Sequence, residues 1–158
     1  PTIVSNTSPD ADFSQFKTFN FMQPLGTDRA NGVRTPLSSR LVNSISRELG
    51  NRGMTRSEDP DLLVDVVVFS EERLDVRQTP SSTIHRSHWH HGFTTWPTYQ
   101  TTVRQYTEGN LVIDLIDPRN NTLIAEGGAQ DRINSDTQLS QQDIDGVVDK
   151  IFASIWAD

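Results

Sequence analysis

Apolar residues in this chain come in a few short periodic runs separated by long polar tracts. In "FKTFNF", Phe19 and Phe21 fall on one side of an extended segment and Thr18 and Asn20 on the other, which is the alternation of a half-buried strand. The Pro, Gly, Asp and Asn of "MQPLGTDRANGVR" then predict a loop. Leu37, Leu41, Ile45 and Leu49 recur at spacings of four behind Thr35, a suitable N-cap, and Pro36, which suits the first helical position. This predicts a helix with one apolar face, closed by a left-handed glycine at Gly50 or Gly53, with Glu48 four residues before Arg52 in the favourable order. "LLVDVVVF" is apolar on both faces except at Asp65 and belongs inside a sheet, with charges exposed as the strand continues from Ser70 to Arg77.

Residues 78–100 show no clear periodicity and read as a long loop, a kind of segment that is usually functional or disordered. Alternation resumes in "VRQYTEGNLVIDLID", with Leu111, Ile113 and Leu115 on one side and Val112 and Ile116 on the other. "DPRNN" is a turn, and "TLIAEGGAQDRI" returns from it as the second arm of a hairpin, where Gly127 and Gly128 predict a bulge or a close backbone approach. Ser140 at an N-cap, Asp143 at the third helical position, and Leu139 with Ile144 as a hydrophobic staple start a final helix. Its core stripe is Ile144, Val147, Val148, Ile151, Phe152 and Ile155. The element order implies an α+β fold, a mostly antiparallel sheet with two helices packed on one face. The 158 residues suit one domain over 13–158, preceded by a polar, flexible tether at 1–12.

Composition narrows the function. A net charge of −7 without any Lys/Arg block makes nucleic acid and anionic lipid surfaces poor partners. The absence of cysteine removes disulfides, thiolate catalysis and cysteine-based metal sites. No apolar run approaches the roughly 20 residues that span a bilayer as a helix. GxSxG, GxxxxGK[ST], GxGxxG and HExxH motifs are all missing, so esterase, phosphate-loop and zinc-protease chemistry has no support.

Taken together, "DFSQFKTFNF", "PDLLVDVVV", "YTEGNLVIDLIDPRNNTLIAEGGA" and "VVDKIFASIW" resemble, in order and spacing, the DUF4136 family of bacterial envelope lipoproteins, whose function is undefined. The resemblance runs from about Asp12 to Trp156 and departs at Ala125 and Glu126, where family members often carry a tryptophan and a basic residue. It implies an α/β fold and a secreted protein in the periplasm, tethered to the outer membrane through a lipid-modified cysteine just upstream of Pro1. It brings no catalytic residues.

The candidate chemistry is concentrated in "IHRSHWHHGFTTW". His85, His88, His90 and His91 are the metal candidates, since imidazole binds zinc, copper or nickel without help from cysteine. The same four would charge together in mild acid and offset part of the −7. Trp89, Phe93, Trp96 and Tyr99 are candidates for contact with an envelope protein or a glycan, or for anchoring the loop to the domain. Asp65 and Asp114 each interrupt an apolar strand; as sheet neighbours they would form an acid/base pair or a cation site, and otherwise they face solvent or structural partners. The preferred reading is a non-catalytic binding or structural module that needs no cofactor, with residues 78–100 as its contact surface. The alternative is a small metal-binding protein or metal-dependent enzyme using the histidines.

Overall fold

The computed structural model describes residues 1–30, 32–86, 93–133 and 139–157, and only the backbone of 79–86 and 93–99. In chain order the elements are β1 (Thr2–Thr7), a 3-10 turn (Phe13–Gln15), β2 (Thr18–Phe21), α1 (Gly26–Arg29), α2 (Pro36–Asn51), β3 (Thr55–Arg56), β4 (Leu62–Arg86), β5 (Phe93–Asp117), β6 (Thr122–Ile133) and α3 (Gln141–Ile155). The strands form one sheet in the order β1-β6-β5-β4-β2-β3.

The two long helices form where their start signals lie. Thr35 Oγ1 accepts the Ser38 N–H at 3.1 Å, and Pro36 opens α2 without wasting a backbone donor. Gly53, at φ +88°, supplies the left-handed turn that follows α2. At α3 the capping box is complete: Ser140 Oγ accepts the Asp143 N–H at 3.1 Å, and the Asp143 carboxylate accepts the Ser140 N–H at 3.1 Å. Leu41, Ile45 and Leu49 of α2 are buried, as are Ile144, Val148, Ile151, Phe152 and Ile155 of α3, with Leu37 and Val147 half-covered.

The sheet is mixed, which corrects the expectation of a mostly antiparallel one. β1 runs antiparallel to β6, from Thr2 opposite Gln130 to Thr7 opposite Ala125. β2, however, is parallel to both β3 and β4, with Phe19 opposite Leu62 and Phe21 opposite Val64. The sixteen-residue helix α2 lies between β2 and its partners, and a strand–helix–strand crossover returns the chain in the same direction. A third helix, α1, occupies part of the expected loop after β2.

Two other expectations change. Thr2–Thr7, read as part of a flexible tether, is an edge strand, continued by a hydrogen bond from the Ser8 N–H to the Ile124 carbonyl at 2.8 Å. The loop expected over 78–100 is strand up to Arg86 and again from Phe93, while 87–92 lie outside the described residues. The segment is rich in Thr and in aromatic residues, which favour extended backbone even where alternation is absent. Pro80 and Pro97 are admissible because a two-stranded ribbon consists of edges only.

The chain divides into two compact units: Pro1–Glu71 with Glu108–Asp158, and Glu72–Thr107. In the first, Leu62, Val64 and Val66 of β4 and Ile113 and Leu115 of β5 are fully buried on one sheet face, together with the apolar stripes of α2 and α3. Gly127 of β6 marks where α3 comes closest. A Cβ there would lie 2.5 Å from the Ile151 side chain and 2.8 Å from that of Ile155, so the approach predicted at this glycine is real.

Gly127→Ala is therefore expected to lose about 1–3 kcal/mol of stability through overpacking. Gly146→Ala, on the exposed side of α3 where a Cβ meets nothing within 4 Å, is expected to gain about 0.5–1 kcal/mol from helix propensity. Urea unfolding midpoints of the two variants should move in opposite directions.

Candidate functional site

The strand alternation that sends Val64, Val66, Ile113 and Leu115 into the core sends Asp65 and Asp114 to the opposite face of the sheet. Since β4, β5 and β6 are adjacent, Asp65, Asp114 and Glu126 form a row of carboxylates across three strands. Asp65 is committed to structure. Its Oδ1 accepts the N–H groups of Gly26 at 2.8 Å and Val66 at 2.9 Å, and its Oδ2 takes Arg29 Nη2 at 2.7 Å. It thus latches the start of α1 to β4, and both oxygens are occupied.

Asp114 differs. Its Oδ1 is buried without a hydrogen-bond partner, and its carboxyl is pushed up to about 6. Burial is the main cause, followed by the hydrogen bond and the charge of Glu126 beside it, with Asp65 adding further repulsion. Asp65 and Asp114 thus lie on neighbouring strands, but the carboxyl that touches Asp114 is that of Glu126. The readable signal was the hairpin, because Asp114 and Glu126 are nearly equidistant from the turn that joins β5 to β6.

Further carboxylates that escaped the sequence reading fasten the helices. Asp28 is buried, which by itself raises its pKa, yet the Ser38 hydroxyl, the Thr35 N–H and the Arg34 guanidinium together hold it below the usual range. Through these contacts it ties α1 to the cap of α2. Asp145 on α3 is lowered to about 2, first by the Ser44 hydroxyl of α2, then by the Gln141 amide against the effect of burial, and by Arg47, whose Nη1 is 2.8 Å away. Glu48 does not serve mainly as the partner of Arg52. Burial and then Asp149 of α3 raise its pKa, while the Arg52 guanidinium lies 4.6 Å above the Trp156 ring.

Of the His/aromatic cluster, His85 falls within β4, and Phe93, Trp96 and Tyr99 within β5. His88, Trp89, His90 and His91 lie outside the described residues, as do the side chains of the other four. Among the described residues no group of three or more His, Cys, Asp or Glu is placed to hold a metal ion. The flanking ribbon is defined. Glu72 accepts hydrogen bonds from Gln105 Nε2 at 3.2 Å and Thr107 Oγ1 at 2.9 Å, which sets these three residues on one face. By alternation Leu74, Val76 and Val103 share that face, where they are 66%, 57% and 57% exposed. Arg73, Asp75 and Arg77 take the other.

The raised carboxyl of Asp114 gives a signed pH effect. The folded chain holds a proton up to about pH 6 that the unfolded chain releases near 3.8, so this stabilising contribution is complete below about pH 4 and is lost as pH rises through 6. Asp114→Asn, which mimics the protonated form, is expected to be more stable than the parent at pH 7.5 by about 1 kcal/mol, allowing for solvent screening of a half-buried pair. That advantage should vanish near pH 4, and thermal melts of both proteins across this range would show it.

Comparison with solved structures shows the fold in another protein. A PDZ domain protein from Parabacteroides distasonis superposes with a TM-score of 0.60 at 19% identity, covering 94% of this chain and 34% of that one. The chain therefore spans about a third of that protein. A PelC dodecamer variant from Paraburkholderia phytofirmans gives a TM-score of 0.48 at 12% identity, over 98% of this chain and 95% of that one. No curated protein matches the sequence. Residues 3–154 match the family model described as a domain of unknown function, and the chain belongs to that family, DUF4136.

Proposed function

We propose that this chain is a non-catalytic binding module of the bacterial cell envelope, tethered in the periplasm to the outer membrane through a lipid on an upstream cysteine. Its contact surface is the Glu72–Thr107 unit, and its partner is an envelope protein or a glycan. The observation that carries this reading is the exposed row of Leu74, Val76 and Val103 on one face of a two-stranded ribbon. A ribbon of two strands is marginal in water, and apolar groups aligned on one face gain most by being covered. Charge supports the same unit. Its four arginines against two acids make it +2 in a chain of −7, leaving −9 on the other unit, so an acidic partner surface is favoured. The aromatics Trp89, Phe93, Trp96 and Tyr99 belong to this stretch of sequence. The envelope address rests on the family resemblance.

The metal-binding alternative rests on the sequence of His85, His88, His90 and His91 alone. Elemental analysis of protein purified without an affinity tag separates the two readings, stoichiometric zinc or copper favouring the alternative.

Two variants test the contact surface: replacement of residues 85–96 by a Gly/Ser turn, and the double substitution Leu74→Asp with Val76→Asp. Both should keep the melting temperature of the parent to within a few degrees, because the core lies in the other unit. Each should lower capture of the partner from envelope extracts at least tenfold, equivalent to about 1.4 kcal/mol. Undiminished capture by both would sink the proposal.

A further inference from the structure

In the larger unit α2 and α3 cover one face of the sheet, and the other face carries apolar groups of its own. A Cβ at Gly128 would meet Val4 at 3.6 Å and Val112 at 3.9 Å, so these side chains stand opposite Gly127 and the helices. By alternation Phe69, Ile116 and Glu126 share that face with Asp114. The start of α1 shields it only around Asp65 and Val67. Phe69 remains 43% exposed, Val112 and Ile116 are half-buried, and Glu126 is exposed among them. Apolar surface is thus left uncovered beside a pair of carboxyls.

Charge selects what fits there. The larger unit carries −9 and the Glu72–Thr107 unit +2, so the chain supplies both an acidic body and a cationic ribbon. Two ribbons stacked row on row would set +2 against +2, and two larger units −9 against −9. Ribbon against larger unit is the pairing in which the charges attract. Among the described ribbon residues Arg73, Arg77 and Arg104 lie on the reverse of the Leu74, Val76 and Val103 row, whose own face carries only Glu72 as a charge. A ribbon one layer thick keeps those guanidinium groups about 10 Å from whatever covers the row, a distance comparable with the screening length at 0.1 M salt.

We propose that the ribbon of one copy docks on the uncovered sheet face of a second copy, with Leu74, Val76 and Val103 laid against Phe69, Val112 and Ile116 beside Glu126. Resting on the ribbon as contact surface, the assignment makes its partner another molecule of the same chain. The contact is head to tail: each copy uses two different surfaces, and one interface leaves a ribbon and a face free. Burial of the apolar row supplies affinity, while the opposite charges steer encounter and suppress the two like-charged pairings.

Sedimentation velocity of the full chain tests the docking. The parent should associate beyond dimers as its concentration rises, and raising salt from about 0.05 to 0.5 M should weaken association at least tenfold. Leu74→Asp with Val76→Asp removes the row, and Phe69→Lys with Glu126→Lys reverses the charge of the face. Each variant alone should stay monomeric with the melting temperature of the parent. Mixed in equal amounts, the two should form a 1:1 dimer and nothing larger, because one brings an intact face and the other an intact ribbon. If the doubly substituted face does not fold, Glu126→Lys alone, at an exposed position, takes its place in the mixture. A parent that stays monomeric to about 1 mM, a face variant that associates as the parent does, or a mixture that fails to dimerise would overturn the docking. A monomeric parent whose ribbon variant still loses capture from envelope extracts removes the second copy and leaves the ribbon as contact surface. Capture and association both untouched by Leu74→Asp with Val76→Asp remove the two together.

Discussion

The fold depends on how closely α3 can approach β6. At Gly127 there is no side chain, and Ile151 and Ile155 occupy the space where a Cβ would stand. This sets the separation between the helix layer and the sheet, and it brings the end of α3 within reach of β1. There Ser5 and Ser154 share a 2.6 Å hydrogen bond, and Thr7 Oγ1 donates to the Ile155 carbonyl at 3.4 Å. The stripe from Ile144 to Ile155 then closes over Ile113, Leu115 and Val64. Burial of these side chains, at roughly 1.5–3 kcal/mol each, is the main force favouring the folded unit.

The carboxylates divide according to whether the surroundings satisfy them. Asp28, Asp65 and Asp145 have their oxygens occupied by backbone N–H groups, hydroxyls or guanidinium groups, and they act as fasteners between elements. The Asp114–Glu126 and Glu48–Asp149 pairs set like charges against one another, with burial adding to the cost in Asp114 and Glu48. Such pairs make the stability of the chain sensitive to mild acid without requiring any catalytic role.

Much of the larger unit was legible in the sequence because its signals are local. Thr35 and Pro36 start α2, Ser140 and Asp143 start α3, and Phe19 with Phe21 shows the inward side of β2, each through interactions within a few residues. The same reading failed where partners are distant. Nothing within Thr2–Thr7 announces that β6 will pair with it, and the polar stretch after Arg77 hides a strand because it does not alternate. Of the candidate site, Asp65 and Asp114 were visible as charges inside apolar runs. Glu126 was not, since it stands among polar and small residues and matters only through its cross-strand neighbour.

By itself, then, the amino-acid sequence determined the two long helices, their caps and the inward faces of the central strands, which follow from periodicity and short-range hydrogen bonding, and its motifs carried the resemblance to the family. Only the tertiary structure decided the parallel pairing of β2 with β4, the recruitment of β1 to the sheet edge, and the burial and the Glu126 neighbour that raise Asp114. Each of these depends on groups far apart in the chain, whose distances are set when the apolar faces close on one another and not by any residue's neighbours in sequence.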